Sequence, residues 1–136
     1  MKKETKFRTK LINNLRQAGY YAYHVKDVRD TGIRTLDILA CIDGKFYGIE
    51  CKIIKASKFD VNKVYKTLRT SQVQTIYDIL LANGSVLIYV AWYSNEDIKE
   101  TYTVGHVKAY QVSLSVDNTL TIQETEQCFL PNSISL

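Results

Sequence analysis

Asp37, Glu50 and Lys52 are the residues of this chain whose types and spacing can do chemistry together. They fall in one stretch, Asp-Ile-Leu-Ala-Cys-Ile-Asp-Gly-Lys-Phe-Tyr-Gly-Ile-Glu-Cys-Lys, which reads as two β-strands joined by a tight turn. Asp43-Gly44 sits between apolar runs, and Asp-Gly is among the strongest short hairpin signals. With Asp43 and Gly44 as the central turn residues, Ile42 faces Lys45 and Asp37 lands opposite Glu50. Side chains alternate between faces, so Lys52 shares the face of Glu50 while Cys51 points the other way. Like charges directly opposite each other destabilise a sheet. A divalent cation is the natural compensation. Mg²⁺ takes carboxylate oxygens, keeps several waters and accepts a substrate phosphate, and Mn²⁺ suits similar oxygen donors. The backbone carbonyl of Cys51 can add a further oxygen to Asp37 and Glu50. A lysine beside the metal can orient or deprotonate an attacking water and counter charge building on a phosphate. This is the equipment of a metal-dependent phosphodiesterase. The competing reading is a surface hairpin with an incidental ion pair between Glu50 and Lys52 or Lys45.

Asp37, twelve intervening residues, and then Glu50-Cys51-Lys52 resembles the signature of the PD-(D/E)xK nucleases. Gly32-Ile33-Arg34-Thr35-Leu36-Asp37 is similar to the Gly-x-Pro-Asp approach to that Asp, with Leu36 where Pro is common. Among branches of the superfamily, residues 4–92 most resemble the archaeal-type Holliday junction resolvases and the virus-type replication-repair nuclease domains. The resemblance implies a restriction-endonuclease-like α/β/α sandwich with a mixed central sheet. It implies cleavage of DNA, branched DNA first, and a homodimer, since two symmetric cuts need two sites.

Net charge is +4, but it is unevenly spread. Residues 1–70 hold 16 Lys or Arg and 7 Asp or Glu, about +9, while residues 71–136 hold 2 and 7, about −5. A positive field concentrated on the half that carries the motif attracts polyphosphate; a solvated basic surface is the plainer alternative. Hydrophobic content of 46% and charged content of 24% are those of a soluble globular protein. No apolar run is long enough for a transmembrane helix, and the first residues lack the apolar region of a signal peptide. The cysteines, Cys41, Cys51 and Cys128, have no metal-type spacing, and all three are expected to be reduced and buried in a cytoplasmic protein.

The elements that must position the motif are legible around it. Residues 3–18 read as an amphipathic helix with Phe7, Leu11, Ile12 and Leu15 on one stripe and Gly19 as its stop. Glu4 lies on that stripe near the first turn. It is either a charge favoured by the helix dipole or, as the resemblance implies, a further acid near the metal. Residues 20–25 read as a strand. Residues 26–35 form a loop in which Arg29 and Arg34 are placed to touch a phosphate. Both faces of the motif hairpin are mostly apolar, so the sheet should be covered on both sides.

Residues 56–70 follow the motif and are basic. Together with Lys55, the residues Lys58, Lys63, Lys66 and Arg69 make a candidate DNA-contacting arm, which can equally be a short helix with a solvated face. Ser71 and Gln74 have capping-box spacing at the head of a second helix. Gln74 is either a cap alone or, by resemblance, a residue that helps arrange the site. Residues 85–94 are nearly all apolar and suit a buried strand parallel to the Glu50 strand. Residues 95–99 read as a turn and 100–104 as a strand. Residues 107–114 fit helix or strand, and Asp117-Asn118 divides a second hairpin-like pattern.

One domain spanning 1–136 is therefore expected, with a core of about 4–92 and a β-rich remainder. Its expected activity is Mg²⁺-dependent hydrolysis of DNA phosphodiester bonds at Asp37, Glu50 and Lys52, with Glu4 and Gln74 assisting. Flap or end processing, or nucleic-acid binding on a fold that has lost catalysis, are the alternatives.

Overall fold

The computed structural model describes residues 2–26 and 36–136. Helix α1 (Lys3–Gln17) buries Phe7, Leu11, Ile12 and Leu15. Gly19, at φ 91°, stops it: Gly19 N–H donates to the Arg16 carbonyl and Tyr20 N–H to the Leu15 carbonyl, each at 3.0–3.1 Å. Strand β1 (Tyr21–His24) follows. The motif hairpin is β2 (Ile38–Ile42) and β3 (Lys45–Lys55). Asp43 and Gly44 have φ of 52° and 78°, so both central residues adopt the left-handed conformation that matches the twist of the flanking strands. The register is the expected one, with Ile42 opposite Lys45 and Ile38 opposite Ile49.

Strand β3 then leads through two helices, α2 (Val61–Thr67) and α3 (Thr70–Leu81), to β4 (Ser85–Tyr93). β4 runs parallel to β3, with Glu50 beside Ile88 and Lys52 beside Val90. The remaining strands, β5 (Val104–Leu114), β6 (Leu120–Thr125) and β7 (Ser133–Ser135), add antiparallel. Among the described residues the sheet has seven strands in the order β1-β2-β3-β4-β5-β6, with β7 also on β5.

Helices cover both faces, so the fold is α/β with a mixed central sheet, as expected. Under α1 lie Ile38, Ala40, Ile49 and Cys51, with Tyr89 beside them. On the opposite face Leu36, Val64, Ile76, Val86, Ile88 and Val90 form a second core. Gly48 lets α3 approach. A β-carbon there would stand 2.7 Å from Ile79 Cδ1 and 2.8 Å from Leu36 Cδ1, closer than real side chains come. No helix among the described residues is long and apolar enough to cross a membrane.

Several expectations need correction. The strand expected at 100–104 begins only at Val104; before it, Asn95–Asp97 form a 3₁₀ turn closed by Ser94 N–H on Asp97 Oδ2 at 2.8 Å. Residues 107–114 are strand, because alternate positions Val107, Ala109 and the neighbouring Tyr110 and Val112 bury against both cores. These side chains serve the chain's own interior. Only Cys51 is buried; Cys41 and Cys128 are exposed, Cys41 on the side of β2 that α3 does not reach. Helix α3 starts at Thr70, ahead of Ser71, which moves its first-turn glutamine from Gln74 to Gln72.

Candidate active site

The hairpin register brings Asp37 and Glu50 side by side where β2 begins, in the interior of the sheet. Asp37 stands just before β2, where its carbonyl accepts from Val25 N–H at 2.9 Å and holds it against β1. Its carboxylate Oδ2 accepts from Cys51 N–H at 3.0 Å. The side chain thus takes the place of the ladder partner that β2 no longer supplies. A strand residue's N–H and C=O point to the same neighbour, so the Cys51 carbonyl faces the Asp37 edge too. The Cys51 thiol lies on the α1 face, pushed up by burial first and by the Asp37 and Glu50 charges next. It stays protonated and offers no thiolate to a metal.

Glu50 is the buried member of the pair, 3% exposed. Its carboxyl is pushed up to about 9, by burial first, then by hydrogen bonding with Asp37 and by the Asp37 charge; Lys52 opposes this and Glu4 adds to it slightly. Without a cation Glu50 therefore keeps its proton at neutral pH. This is the like-charge problem anticipated from the register.

Gln72 is the residue that organises this face, and it is nearly as buried as Glu50. Its Nε2 donates to Glu50 Oε2 at 3.0 Å. Its Oε1 accepts from Lys52 Nζ at 3.1 Å and from Arg69 N–H at 3.1 Å. The amide orientation is forced, since the flipped form would set NH₂ against an ammonium and an amide N–H. Lys52 Nζ also donates to the Thr67 carbonyl at 3.2 Å, at the C-terminal end of α2 where a cation is favoured. Among the described residues two of its three N–H groups are so engaged, which leaves one for a water or phosphate. The ion pairs among the described residues are Lys108–Glu124 and His106–Asp97. Neither involves Glu50, which removes the incidental ion pair considered from the sequence.

Gln74 is corrected: it is exposed, and its Nε2 donates to Asp78 Oδ1 at 3.1 Å on the outer side of α3. Gln72 and Gln74 each stand three residues after a candidate helix start, and only the buried Glu50 carboxyl selects between them. Glu4 is exposed in the first turn of α1, near enough for its charge to raise Glu50. Lys55, Lys58, Lys66 and Arg69 are exposed and Lys63 half-buried. α2 gives this arm its frame, with Asp60 Oδ1 accepting from Asn62 N–H at 2.9 Å and Val64 fully buried. Arg29 and Arg34 lie outside the described residues.

No family model matches the chain, and no curated protein does. Among solved structures it is similar to Hjc of Archaeoglobus fulgidus, a Holliday junction resolvase from an archaeal hyperthermophile. The identity is 16%, the match covers 96% of this chain and 94% of that one, and the TM-score is 0.49.

The donor set suits a hard divalent cation. Two carboxylates and a carbonyl are oxygen ligands, few enough that water and a substrate oxygen must complete the shell. A cation would also relieve the charge on Asp37 and Glu50. No group of three or more Asp, Glu, His or Cys side chains gathers for a metal among the described residues, so the carbonyl and solvent are integral to any such site.

Proposed function

We propose that this chain is a metal-dependent endonuclease that hydrolyses DNA phosphodiester bonds. The observation that carries the reading is the buried Glu50 held beside Asp37, with Gln72 joining Glu50 to Lys52. Asp37, Glu50 and the Cys51 carbonyl would hold Mg²⁺ or Mn²⁺. When bound, the ion supplies Lewis-acid stabilisation of the phosphate and a more acidic water. Lys52 presents its free N–H to the attacking water or to a non-bridging phosphate oxygen, opposing the charge that accumulates there. Gln72 keeps that ammonium aligned with the carboxyl pair, so nucleophile and phosphate meet in a fixed geometry. Glu4 adds negative charge at the rim. Lys55, Lys58, Lys63, Lys66 and Arg69 would bind flanking phosphates, as would Arg29 and Arg34.

A preference for branched DNA, with a two-fold dimer to make paired cuts, follows from the sequence resemblance to junction resolvases. Labelled four-way junction, flap, duplex and single-strand substrates, each with and without Mg²⁺, test the activity and its selectivity together. Asp37→Asn and Glu50→Gln should each abolish cleavage and leave a folded protein that still binds DNA. Full activity in either variant would remove the site assignment. A monomer by sedimentation that cuts flaps or duplex as readily as junctions would leave a nuclease but not a resolvase.

A further inference from the structure

The face of the sheet that carries Glu50 and Lys52 is covered by α3 only as far as β3, where Gly48 meets Ile79. Beyond it, β1 and the start of β3 present aromatic side chains to solvent, on either side of β2. Residues directly opposite on antiparallel strands share a face. Tyr21, Cys41 and Phe46 therefore form one cross-strand row, and Tyr23, Leu39 and Gly48 the next. The same register continued brings Asp37 and Glu50 into the row after that. Tyr21 is 68% exposed, Tyr23 51% and Phe46 47%. On the reverse of these strands Ala22, Ala40, Ile38 and Ile49 are buried under α1. The exposure is thus a property of one face, not of loosely packed strands. An uncovered sheet face ordinarily carries polar residues, whereas these two rows hold no charged side chain.

An exposed apolar strip marks an interaction surface, and its size limits the partner. The exposed parts of the three rings amount to roughly 250–400 Å², against about 800 Å² per partner in a stable protein complex. The strip is too small to hold a second copy by itself and suits a few flat groups. It also lies in the half of the chain with the positive charge. Alternate rings on one strand stand about 7 Å apart, and Tyr23 is one row from Asp37. We infer that Tyr21, Tyr23 and Phe46 are a stacking platform for unpaired nucleobases of the strand whose phosphate reaches Asp37, Glu50 and Lys52. This rests on the nuclease reading and narrows its substrate class. Bases within a duplex have their faces taken by neighbours, so the platform selects DNA with a single-stranded segment beside the cut.

Binding measured by fluorescence anisotropy, without metal, separates the platform from the chemistry. The probes are a labelled single strand of about 12 nucleotides, within the range of aromatic single-strand sites, its abasic counterpart with the same phosphates, and a duplex. The paired change Tyr21→Ala, Tyr23→Ala should weaken single-strand binding by about tenfold or more, leaving the abasic strand and the duplex unchanged. The paired change Tyr21→Phe, Tyr23→Phe keeps the rings and should keep the affinity. Equal loss on the abasic strand, or unchanged single-strand affinity, overturns the platform. So does a dimer that falls to monomer in the alanine pair while still binding single strands, because the face would then join two copies. A protein that binds through these rings but cuts no DNA overturns the nuclease reading and upholds the platform.

Discussion

Gln72 donates from Nε2 to Glu50 Oε2 across 3.0 Å, and through its other amide atom it accepts the Lys52 ammonium. Helix α3 is thereby fastened to two side chains of the proposed site. Gln72→Ala should lower cleavage at least tenfold and cost about 1–3 kcal/mol of stability, the range for a buried polar group losing its partner. Gln74→Ala should change stability by no more than about 0.5 kcal/mol, as for an ordinary surface site, and leave the rate alone. Thermal unfolding and cleavage of one substrate, run on both variants, check this. Equal effects would remove the distinction between the two glutamines.

Lys52→Met keeps the length of the side chain and removes its charge. Cleavage should fall by well over tenfold while metal binding, followed by calorimetry, is largely retained. A lysine serving only as a tie between Thr67 and Gln72 would instead lose stability and keep most of its rate.

Glu50 gives the metal-free protein a pH dependence of definite sign. Its folded value is about 9 against an ordinary value near 4.5, so the folded state keeps a proton that the unfolded chain releases. The stability this confers is complete below about 4.5 and is lost progressively as pH rises towards 9. Melting temperatures in EDTA should therefore fall across that window. Mg²⁺, replacing the proton as the partner of the two carboxylates, should flatten the decline. An unchanged decline in Glu50→Gln would assign it to another group.

The basic arm should register as salt dependence. If Lys55 and Lys58 each neutralise a phosphate, replacing both by Ala should make the slope of log K against log salt shallower by up to about two units. Different sequences should weaken alike, because phosphate contacts carry no base information. An unchanged slope would direct the DNA to α1, where Lys3, Lys6 and Lys10 are exposed.

The hairpin was legible because two local signals agree. Asp43-Gly44 demands a two-residue turn, and the alternation on either side admits one register, which alone brings Asp37 to Glu50. The stripe of Phe7, Leu11 and Leu15 and the nearly all-apolar β4 were equally plain, since each buries what its pattern says. Gln72 was not legible. Its spacing matches that of Gln74, and the choice depends on a carboxyl 22 residues earlier in the chain. The exposure of Cys41 was missed for a related reason. Alternation tells which residues share a face but not how far a helix extends over it. Nor did spacing decide β5, where the buried positions change phase between Ala109 and Tyr110, so no single period-2 pattern runs through the strand.

Gly48 leaves a recess in the sheet that the tips of two side chains fill, Ile79 from α3 and Leu36 from the approach to β2. An added methyl group would meet their terminal Cδ1 carbons, which can turn to other rotamers, and not the helix backbone. The layer that carries Gln72 can therefore keep its place over Glu50 while the two tips rearrange. Leu36 stands immediately before Asp37 in the chain. In Gly48→Ala the disturbance would thus travel along the chain to Asp37, by covalent connection, and not across the layers to Gln72.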